Sequence, residues 1–210
     1  DFQIIGSSPE ILVRLRNNRI TIRPIAGTRP RGSDDKKDAA LTKELLRNEK
    51  ERAEHLMLVD LERNDMGRVC QPGSVSVTEL MCLEQYSHVS HIVSNIEGKL
   101  NPNVTIYELL KALFPGGTIT GCPKIRCMEI INELEPSSRG PYSGSFGYIG
   151  FCRQLDFNIL IRTIFIKNGK ATFHVGAGIV ADSDPDDEYE ETLSKAAAMI
   201  EVLSDPTSMD

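Results

Sequence analysis

The Asn168-Gly169 dipeptide narrows the possible folds of this chain more than any other feature. An Asn-Gly pair accepts the positive φ angles of a two-residue turn, so it is a strong local signal for a β-hairpin. Here it separates Thr163–Ile166 from Ala171–Val175, and both stretches are rich in β-branched and aromatic residues. The dipeptide therefore predicts a pair of antiparallel strands in the last part of the chain.

Other turn and breaker residues divide the rest of the chain into strands and helices. Asn17-Asn18 predicts a second turn, between strands at 11–15 and 20–25, and a loop is predicted from Gly27 to Gly32. The remaining predicted strands are 75–83, 88–96, 144–151 and 157–166, and the predicted helices are 35–61, 107–114, 125–134 and 188–203. Long antiparallel strands with helices between them predict an α+β fold.

The composition argues against several classes of function. The chain has 210 residues, 40% of them hydrophobic and 26% charged, as expected of one globular domain. A net charge of -6 without a basic stripe argues against a nucleic-acid partner. No apolar run approaches the roughly 20 residues of a membrane helix, so no membrane partner is expected. The cysteines lack CxxC spacing, which predicts reduced thiols and a cytoplasmic location.

Two pairs of glutamates share one spacing. Glu51 and Glu54 are three residues apart on a predicted helix, and Glu188 and Glu191 repeat that spacing on another. Residues i and i+3 lie on one helix face, so each pair directs two carboxylates the same way. If the two helices face each other, these oxygens suit a hard divalent cation such as Mg²⁺. If they do not, the glutamates are ordinary solvated helix surfaces.

Glycines and cations elsewhere in the chain suit an anionic ligand. The glycine-rich segment 115–124 precedes a predicted helix, whose N-terminus favours anions, and 176–178 is a second permissive segment. Arg162 lies in a predicted apolar strand and needs a partner, either a ligand carboxylate or a structural salt bridge. His91 lies in another predicted strand, where most histidines are only hydrogen-bonded core or surface residues.

A set of motifs resembles those of the chorismate-binding enzymes, which include anthranilate synthase component I, aminodeoxychorismate synthase component I, isochorismate synthase and salicylate synthase. The motifs are, in order, PIAGTRPRG, KERAEHLMLVDLERND, SHVSHIVS, PGGTITGCPK, IRT, GAGIVADS and EYEETLSK. The match runs from SPE at 8–10 to Lys195. The resemblance implies antiparallel sheets packed face to face with surrounding helices. It also implies a catalytic domain over 1–210 that is the C-terminal portion of a longer enzyme.

The resemblance implies a role for each glutamate of the two pairs. Glu54 and Glu191 would bind Mg²⁺ directly, and Glu51 and Glu188 would hold metal-bound water. The metal would bind the ring carboxylate of chorismate, withdraw electron density and ease departure of the C4 hydroxyl.

Further residues match the catalytic and substrate-binding positions of the family. Glu10 falls where the family places the general acid for the leaving hydroxyl, and His91 resembles the histidine near that hydroxyl and the ring. Thr28, with Gly27 behind it, would contact the substrate near the same hydroxyl. The positions implied for the enolpyruvyl carboxylate and its surroundings are Tyr142, Arg162, Gly176, Ala177, Gly178 and Lys195.

Residue 26 bears on which reaction the resemblance implies. Many enzymes of the p-aminobenzoate branch have a nucleophilic lysine at this substrate-facing position, and Ala26 cannot do that chemistry, which favours anthranilate synthase. The strings TITGCPK and LDFN look more like the p-aminobenzoate branch, so aminodeoxychorismate synthase remains the alternative. DLERND resembles the ammonia-using members better than the isochorismate and salicylate synthases.

Both favoured reactions imply chorismate as substrate and a glutamine amidotransferase subunit as the source of ammonia, because the motifs include no glutaminase Cys-His pair. A homo-oligomer is compatible with the resemblance. A different interpretation is a stable scaffold or amidotransferase-docking piece that is inactive without an N-terminal part. The chain begins at Asp1 without a Met, which also predicts that it belongs to a longer protein.

Overall fold

The computed structural model of the chain describes residues 1–86 and 89–204. Its strands are β1 (Phe2–Gly6), β2 (Ile11–Arg16), β3 (Arg19–Ile22), β4 (Ile25–Pro30), β5 (Ser76–Gln85), β6 (Val89–Lys99), β7 (Ser145–Ile149), β8 (Leu155–Ile159), β9 (Thr163–Lys167) and β10 (Lys170–Thr172). Its helices are α1 (Asp35–Arg47), α2 (Glu49–Gly67), α3 (Ile106–Leu113), α4 (Lys124–Leu134) and α5 (Pro185–Ser204), with a 3₁₀ turn at Gly117–Ile119. Within those two ranges, no helix is both long and apolar enough to cross a membrane.

The described strands form two antiparallel sheets. The larger has seven strands in the order β4-β6-β3-β2-β8-β7, with β5 also paired to β6. Strand β6 is long, so β3 pairs with its C-terminal part and β4 with its N-terminal part along one edge. Strands β1, β9 and β10 form the smaller sheet. The predicted α+β fold with antiparallel sheets and surrounding helices is therefore confirmed.

Both predicted two-residue turns are present. Asn168 and Gly169 join β9 to β10 with φ angles of 53° and 72°. Asn17 and Asn18 join β2 to β3 with φ angles of 50° and 61°. Positive φ at both central residues is the pattern of a type I′ turn, whose twist matches that of the flanking strands.

The predicted strand at 157–166 is wrong, because the chain changes sheets within it. Strand β8 of the larger sheet ends at Ile159, and β9 of the smaller sheet begins at Thr163. Arg162 lies between them with a φ of 48°. Arg162 is therefore not inside a strand. It lies in the short segment through which the chain passes from the larger sheet to the smaller one.

Other predicted boundaries also shift. The loop predicted from Gly27 is mostly strand β4, and the break falls earlier, at Pro24, which cannot donate a ladder hydrogen bond. The helix predicted at 35–61 is two helices, because Asn48 ends α1 and its side chain caps α2 by accepting from the Glu51 N–H. The strand predicted from His88 begins at Val89 within the described residues, and His88 itself lies outside them.

Helix α2 packs against the larger sheet with an unusually polar buried face. Its buried residues are His55, Leu58, Val59, Glu62, Asp65 and Met66. Val59 and Met66 join a core that includes Ile20 and Ile96 from the sheet. The acids and the histidine on the same face must find partners, since unpaired buried polar groups are costly.

His55 finds its partner in Ser94, on the central strand β6. Both residues are fully buried, and His55 Nε2 lies 2.6 Å from Ser94 Oγ. The same hydroxyl accepts a hydrogen bond of 2.9 Å from the Met81 N–H. Met81 has a φ of 53° at an irregularity in the pairing of β5 with β6. The Ser94 hydroxyl is therefore the hydrogen-bond partner both of His55 on α2 and of the Met81 N–H on the distorted strand β5.

The Ser94→Ala substitution should lower the free energy of unfolding by about 1–3 kcal/mol, because it leaves the buried His55 Nε2 and the half-buried Met81 N–H without this partner. Ser90→Ala is the matched control, since Ser90 is 2% exposed on the same strand and its Oγ has no hydrogen-bond partner among the described residues. That control should change stability by less than about 0.5 kcal/mol. Urea unfolding followed by circular dichroism measures both, and equal losses would contradict the role of Ser94.

Candidate active site

A bulge in β4 brings Thr28 and His91 together. Gly27 has a φ of 81°, and the pairing of β4 with β6 shifts register between Ala26 and Thr28. Glycine adopts this conformation without strain, and an added Cβ at Gly27 would also collide with Glu51 Oε2. Thr28 is consequently paired with His91, with Oγ1 and Nδ1 2.8 Å apart.

His91 is held as a neutral imidazole. It is only 2% exposed, and burial lowers its pKa, with the positive charge of Arg162 adding to the effect. The backbone of Gly27 and the carboxylate of Glu84 act in the opposite direction. A neutral ring retains one nitrogen that can accept a proton.

Glu10 lies between β1 and β2 and is also buried, at 7% exposure. Burial raises its pKa from 4.5 to about 7, against the opposing effects of Thr118, Arg162 and Lys195. Such a carboxyl is protonated in about half of the molecules near pH 7 and can then donate its proton. Arg162 acts on both Glu10 and His91, so these two groups share one cationic neighbour.

The segment Gly176–Gly178 lies between Tyr142 and Glu54. A Cβ at Gly176 would stand 2.9 Å from the Tyr142 hydroxyl, and one at Gly178 would stand 2.7 Å from Glu54 Oε1. Glycine at these positions therefore allows the backbone, including that of Ala177, to approach both side chains closely. Lys195 Nζ donates to the Gly176 carbonyl at 3.0 Å, which attaches helix α5 to the segment.

Helices α2 and α5 bring the two glutamate pairs into one electrostatic neighbourhood. Burial raises the pKa of Glu54, and the negative charges of Glu188, Glu191 and Glu51 raise it further. Burial also raises the pKa of Glu51, with a contribution from Glu191 across the interface. The prediction that the two i,i+3 pairs face each other is consistent with these mutual effects.

Three of the four glutamates have a cation of their own. Glu51 pairs with Arg29 at 2.6 Å, Glu188 with Lys50 at 3.3 Å, and Glu191 with Lys195 at 2.5 Å. Glu188 also accepts a hydrogen bond of 2.6 Å from Ser183. No ion pair is present for Glu54 in the part of the chain that the structure describes.

The donor set fits a hard cation, although the side chains do not converge on one point. No group of three or more His, Cys, Asp or Glu residues among those described is arranged to hold a metal ion. The chemistry still suits Mg²⁺, which prefers carboxylate oxygens. Glu51 Oε2 is buried without a hydrogen-bond partner among the described residues, and Glu54 is repelled by three other acids. A positive charge bound between the two helices would therefore stabilise both glutamates.

The glycine-rich segment 115–124 meets carboxylates of the protein itself. The Gly117 N–H donates to Glu62 at 3.3 Å, and Lys124 pairs with Asp65 at 2.5 Å. Glu62 and Asp65 are buried on α2, so the segment meets carboxyl groups of the protein itself in place of the predicted anionic ligand. Both acids were missed by the sequence reasoning, although they repeat the i,i+3 spacing of Glu51 and Glu54 on the same face of one helix.

The predicted site residues therefore form two connected groups. The first contains Glu10, Thr28, His91 and Arg162. The second contains Tyr142, Gly176, Ala177, Gly178, Lys195 and the four glutamates. Lys195 connects the groups, because it pairs with Glu191 and its charge also acts on Glu10.

Stability should depend on pH through Glu62, whose pKa is raised to about 7 by burial and by Asp65 and Glu10. Between about pH 4.5 and 7 the folded chain keeps a proton that the unfolded chain has released, so this contribution is full below that window and is lost as pH rises. Glu62→Gln should therefore raise the free energy of unfolding at pH 8 by about 1–3 kcal/mol. Its amide oxygen can still accept from Gly117.

The exposed Glu129→Gln variant is the control and should leave the pH dependence unchanged. Urea unfolding at pH 5 and pH 8 measures all three proteins. A Glu62→Gln variant that is no more stable than the wild type at pH 8 would show that Glu62 is not held as a neutral acid.

Comparison with known proteins places the chain among relatives of one family. The family model for chorismate binding enzyme matches residues 1–201. The chain is 56% identical over 203 residues to aminodeoxychorismate synthase component 1 of Bacillus subtilis, covering 97% of this chain and 43% of that protein. It is also 56% identical over 212 residues to anthranilate synthase component 1 of Synechocystis, covering 96% of this chain and 42% of that protein.

Solved structures agree with these matches. The crystal structure of anthranilate synthase component I from Streptococcus pneumoniae superposes with a TM-score of 0.86 at 47% identity, over 95% of this chain and 44% of that one. The menaquinone-specific isochorismate synthase MenF from Escherichia coli gives a TM-score of 0.87 at 28% identity, over 97% and 46%. The chain thus spans less than half of the length of each of these four relatives.

Proposed function

The chain belongs to the chorismate-binding enzymes, and we propose that it is the C-terminal catalytic part of a Mg²⁺-dependent synthase that converts chorismate and ammonia into anthranilate and pyruvate. The observation that carries the proposal is that the Glu10 carboxyl is buried and that the positive charge of Arg162 acts on it. A buried carboxyl with a pKa of about 7, under the influence of an arginine, can give up a proton and leave a stabilised carboxylate.

Glu10 would protonate the C4 hydroxyl of chorismate as it leaves as water. The resulting carboxylate would be stabilised by the charges of Arg162 and Lys195, which already act on it in the free protein. Ammonia would attack C2 of the ring, and loss of the C2 proton with elimination of pyruvate would complete the aromatic product. His91, whose lowered pKa favours the neutral ring and which contacts Thr28, would exchange a proton near the same hydroxyl.

The substrate's two carboxylates would be bound by different groups. Arg162 and Tyr142, with backbone N–H groups of Gly176–Gly178, would hold the enolpyruvyl carboxylate. Bound Mg²⁺ would supply electrostatic stabilisation at the ring carboxylate. Glu54 and Glu191 would hold the ion, with Glu51 and Glu188 in supporting positions.

Aminodeoxychorismate synthesis is the second candidate, because relatives of equal identity carry both names. Ala26 favours the anthranilate reaction, since an alanine cannot form a covalent bond to the ring. It lies in β4 opposite Ile92, beside the bulge that positions Thr28. The strings TITGCPK and LDFN favour the alternative.

A glutamine amidotransferase subunit is proposed as the source of ammonia. The names of the relatives support this, since both are component 1 of their synthases. Because the chain spans 43% of one relative and 42% of the other, catalysis is proposed for the longer protein, and the chain alone would be a folded but inactive piece if the remaining part is essential.

Incubation of the full-length protein with chorismate, ammonium and Mg²⁺ should give a blue-fluorescent product with the mass of anthranilate, and pyruvate in equal amount. The Glu10→Gln variant is the control and should lower turnover by about 100-fold or more, as expected when a general acid is lost. A product that becomes p-aminobenzoate only after a separate lyase is added would contradict the anthranilate assignment. Full turnover by Glu10→Gln would remove Glu10 from the mechanism.

A further inference from the structure

Lys50 was not singled out by its sequence, yet its ammonium group lies within the acidic cluster. Its Nζ lies 3.3 Å from Glu188 Oε1, across the interface between α2 and α5. Its positive charge is also close enough to Glu54 and Glu191 to be stabilised by both. One side chain therefore interacts with three of the four glutamates that are proposed to surround the metal.

The other two cations of the cluster are bound differently. Arg29 is shared between Glu51 and Glu44 and also donates to the Thr28 carbonyl. Lys195 donates to the Gly176 carbonyl as well as pairing with Glu191. Each is anchored by the backbone in addition to its carboxylate. Lys50 has no such anchor among the described residues.

The ammonium group of Lys50 can also move out of the acidic cluster into solvent. Its side chain is 42% exposed, whereas that of its partner Glu188 is 10% exposed. A lysine ammonium on a flexible four-carbon stem can turn to solvent at little cost, while the carboxylates that it neutralises remain between the helices. The lysine can therefore exchange with another cation without rearrangement of either helix.

We propose that Lys50 is the resident counter-ion of Glu54, Glu188 and Glu191 in the acidic cluster, which it stabilises in the metal-free protein, and that it is displaced when a divalent cation binds. This inference rests on the proposed metal site and adds a residue that sets the affinity of that site. Mg²⁺ must then compete with a tethered ammonium group, so the site binds the metal more weakly than its four carboxylates would alone.

The two roles of Lys50 have opposite consequences when its charge is removed. Without metal, the glutamates lose a counter-ion and repel one another, so the metal-free protein becomes less stable. With metal, the competitor is gone, so Mg²⁺ binds more tightly. A lysine that acted only as a surface salt bridge would produce neither change, because exposed ion pairs contribute little.

The test measures Mg²⁺ binding by isothermal titration calorimetry on the full-length protein and three variants, without chorismate. Lys50→Met removes the charge and keeps most of the apolar stem, and Lys50→Arg restores the charge. Lys111→Met makes the same change in net charge on the exposed end of α3. The titrations are made in about 0.1 M salt, where the Debye length of about 10 Å leaves the interaction of Lys50 with the glutamates largely unscreened, and Lys111→Met controls for the change in net charge.

Lys50→Met should bind Mg²⁺ about tenfold more tightly than the wild type, in keeping with removal of a charge at about 4 Å in a partly solvated site. Lys50→Arg and Lys111→Met should bind it as the wild type does. In metal-free buffer, Lys50→Met should melt at a lower temperature than Lys111→Met, and saturating Mg²⁺ should close that gap.

Equal affinity of Lys50→Met and Lys111→Met for Mg²⁺, or weaker binding by Lys50→Met, would overturn the resident-cation role while leaving the metal site intact. Absence of Mg²⁺ binding in all four proteins, with the wild type folded, would overturn the proposed metal dependence itself. The two failures are distinguished by the wild-type titration alone.

Discussion

Repulsion among carboxylates that are held between helices is the constraint on which the rest of the site depends. Helix α2 carries Glu51 and Glu54 in one turn and Glu62 and Asp65 three turns later, all on one face. Helix α5 adds Glu188 and Glu191 opposite the first pair. Burial of so many acids is unfavourable unless each is protonated or paired with a cation. The molecule uses both solutions, and they divide the face of α2 into two functional parts.

At the C-terminal part of α2, the charge is neutralised by groups of the protein itself. Lys124 pairs with Asp65, and Glu62 keeps its proton at neutral pH because burial raises its pKa to about 7. At the N-terminal part, the proposed metal would replace one neutralising side chain, Lys50, so neutralisation there would be reversible. The burial of acids along α2 is therefore balanced within a structural cluster at one end of the helix and at a proposed metal site at the other.

The change of sheet at Arg162 provides the second constraint. Because β8 ends at Ile159 and β9 begins at Thr163, the arginine lies in the segment between the two sheets, and its charge acts on both Glu10 and His91. A single cation then influences a neutral acid and a neutral base, which is the arrangement that proton transfer near pH 7 requires. If a regular strand continued through residue 162, successive side chains would point alternately to the two faces of one sheet. Arg162 would then not act on both Glu10 and His91.

The sequence predicted the α+β fold and both Asn-containing turns, because these follow from periodicity and local conformation, and the facing of the two glutamate pairs stays a prediction. It placed Arg162 in a strand, since the apolar residues around it hide the exchange of one sheet for another. It missed Lys50 and Glu62, both on α2, because helical spacing identifies a face of a helix but does not show which side chains on that face meet a neighbouring element. The i,i+3 repetition of Glu62 and Asp65 was a signal that could have revealed the second acidic cluster.

The most direct test of the facing acidic helices is a crystal structure of the protein soaked with Mn²⁺, with data collected to locate the ion by anomalous scattering. One peak should lie between α2 and α5, in contact with carboxylate oxygens of Glu54 and Glu191, and Mg²⁺ in the same site should have ligand distances of about 2.0–2.1 Å. Lys50 should be turned toward solvent in that structure. A peak that lies away from both helices, or a metal-free interface at saturating Mn²⁺, would contradict the proposed site.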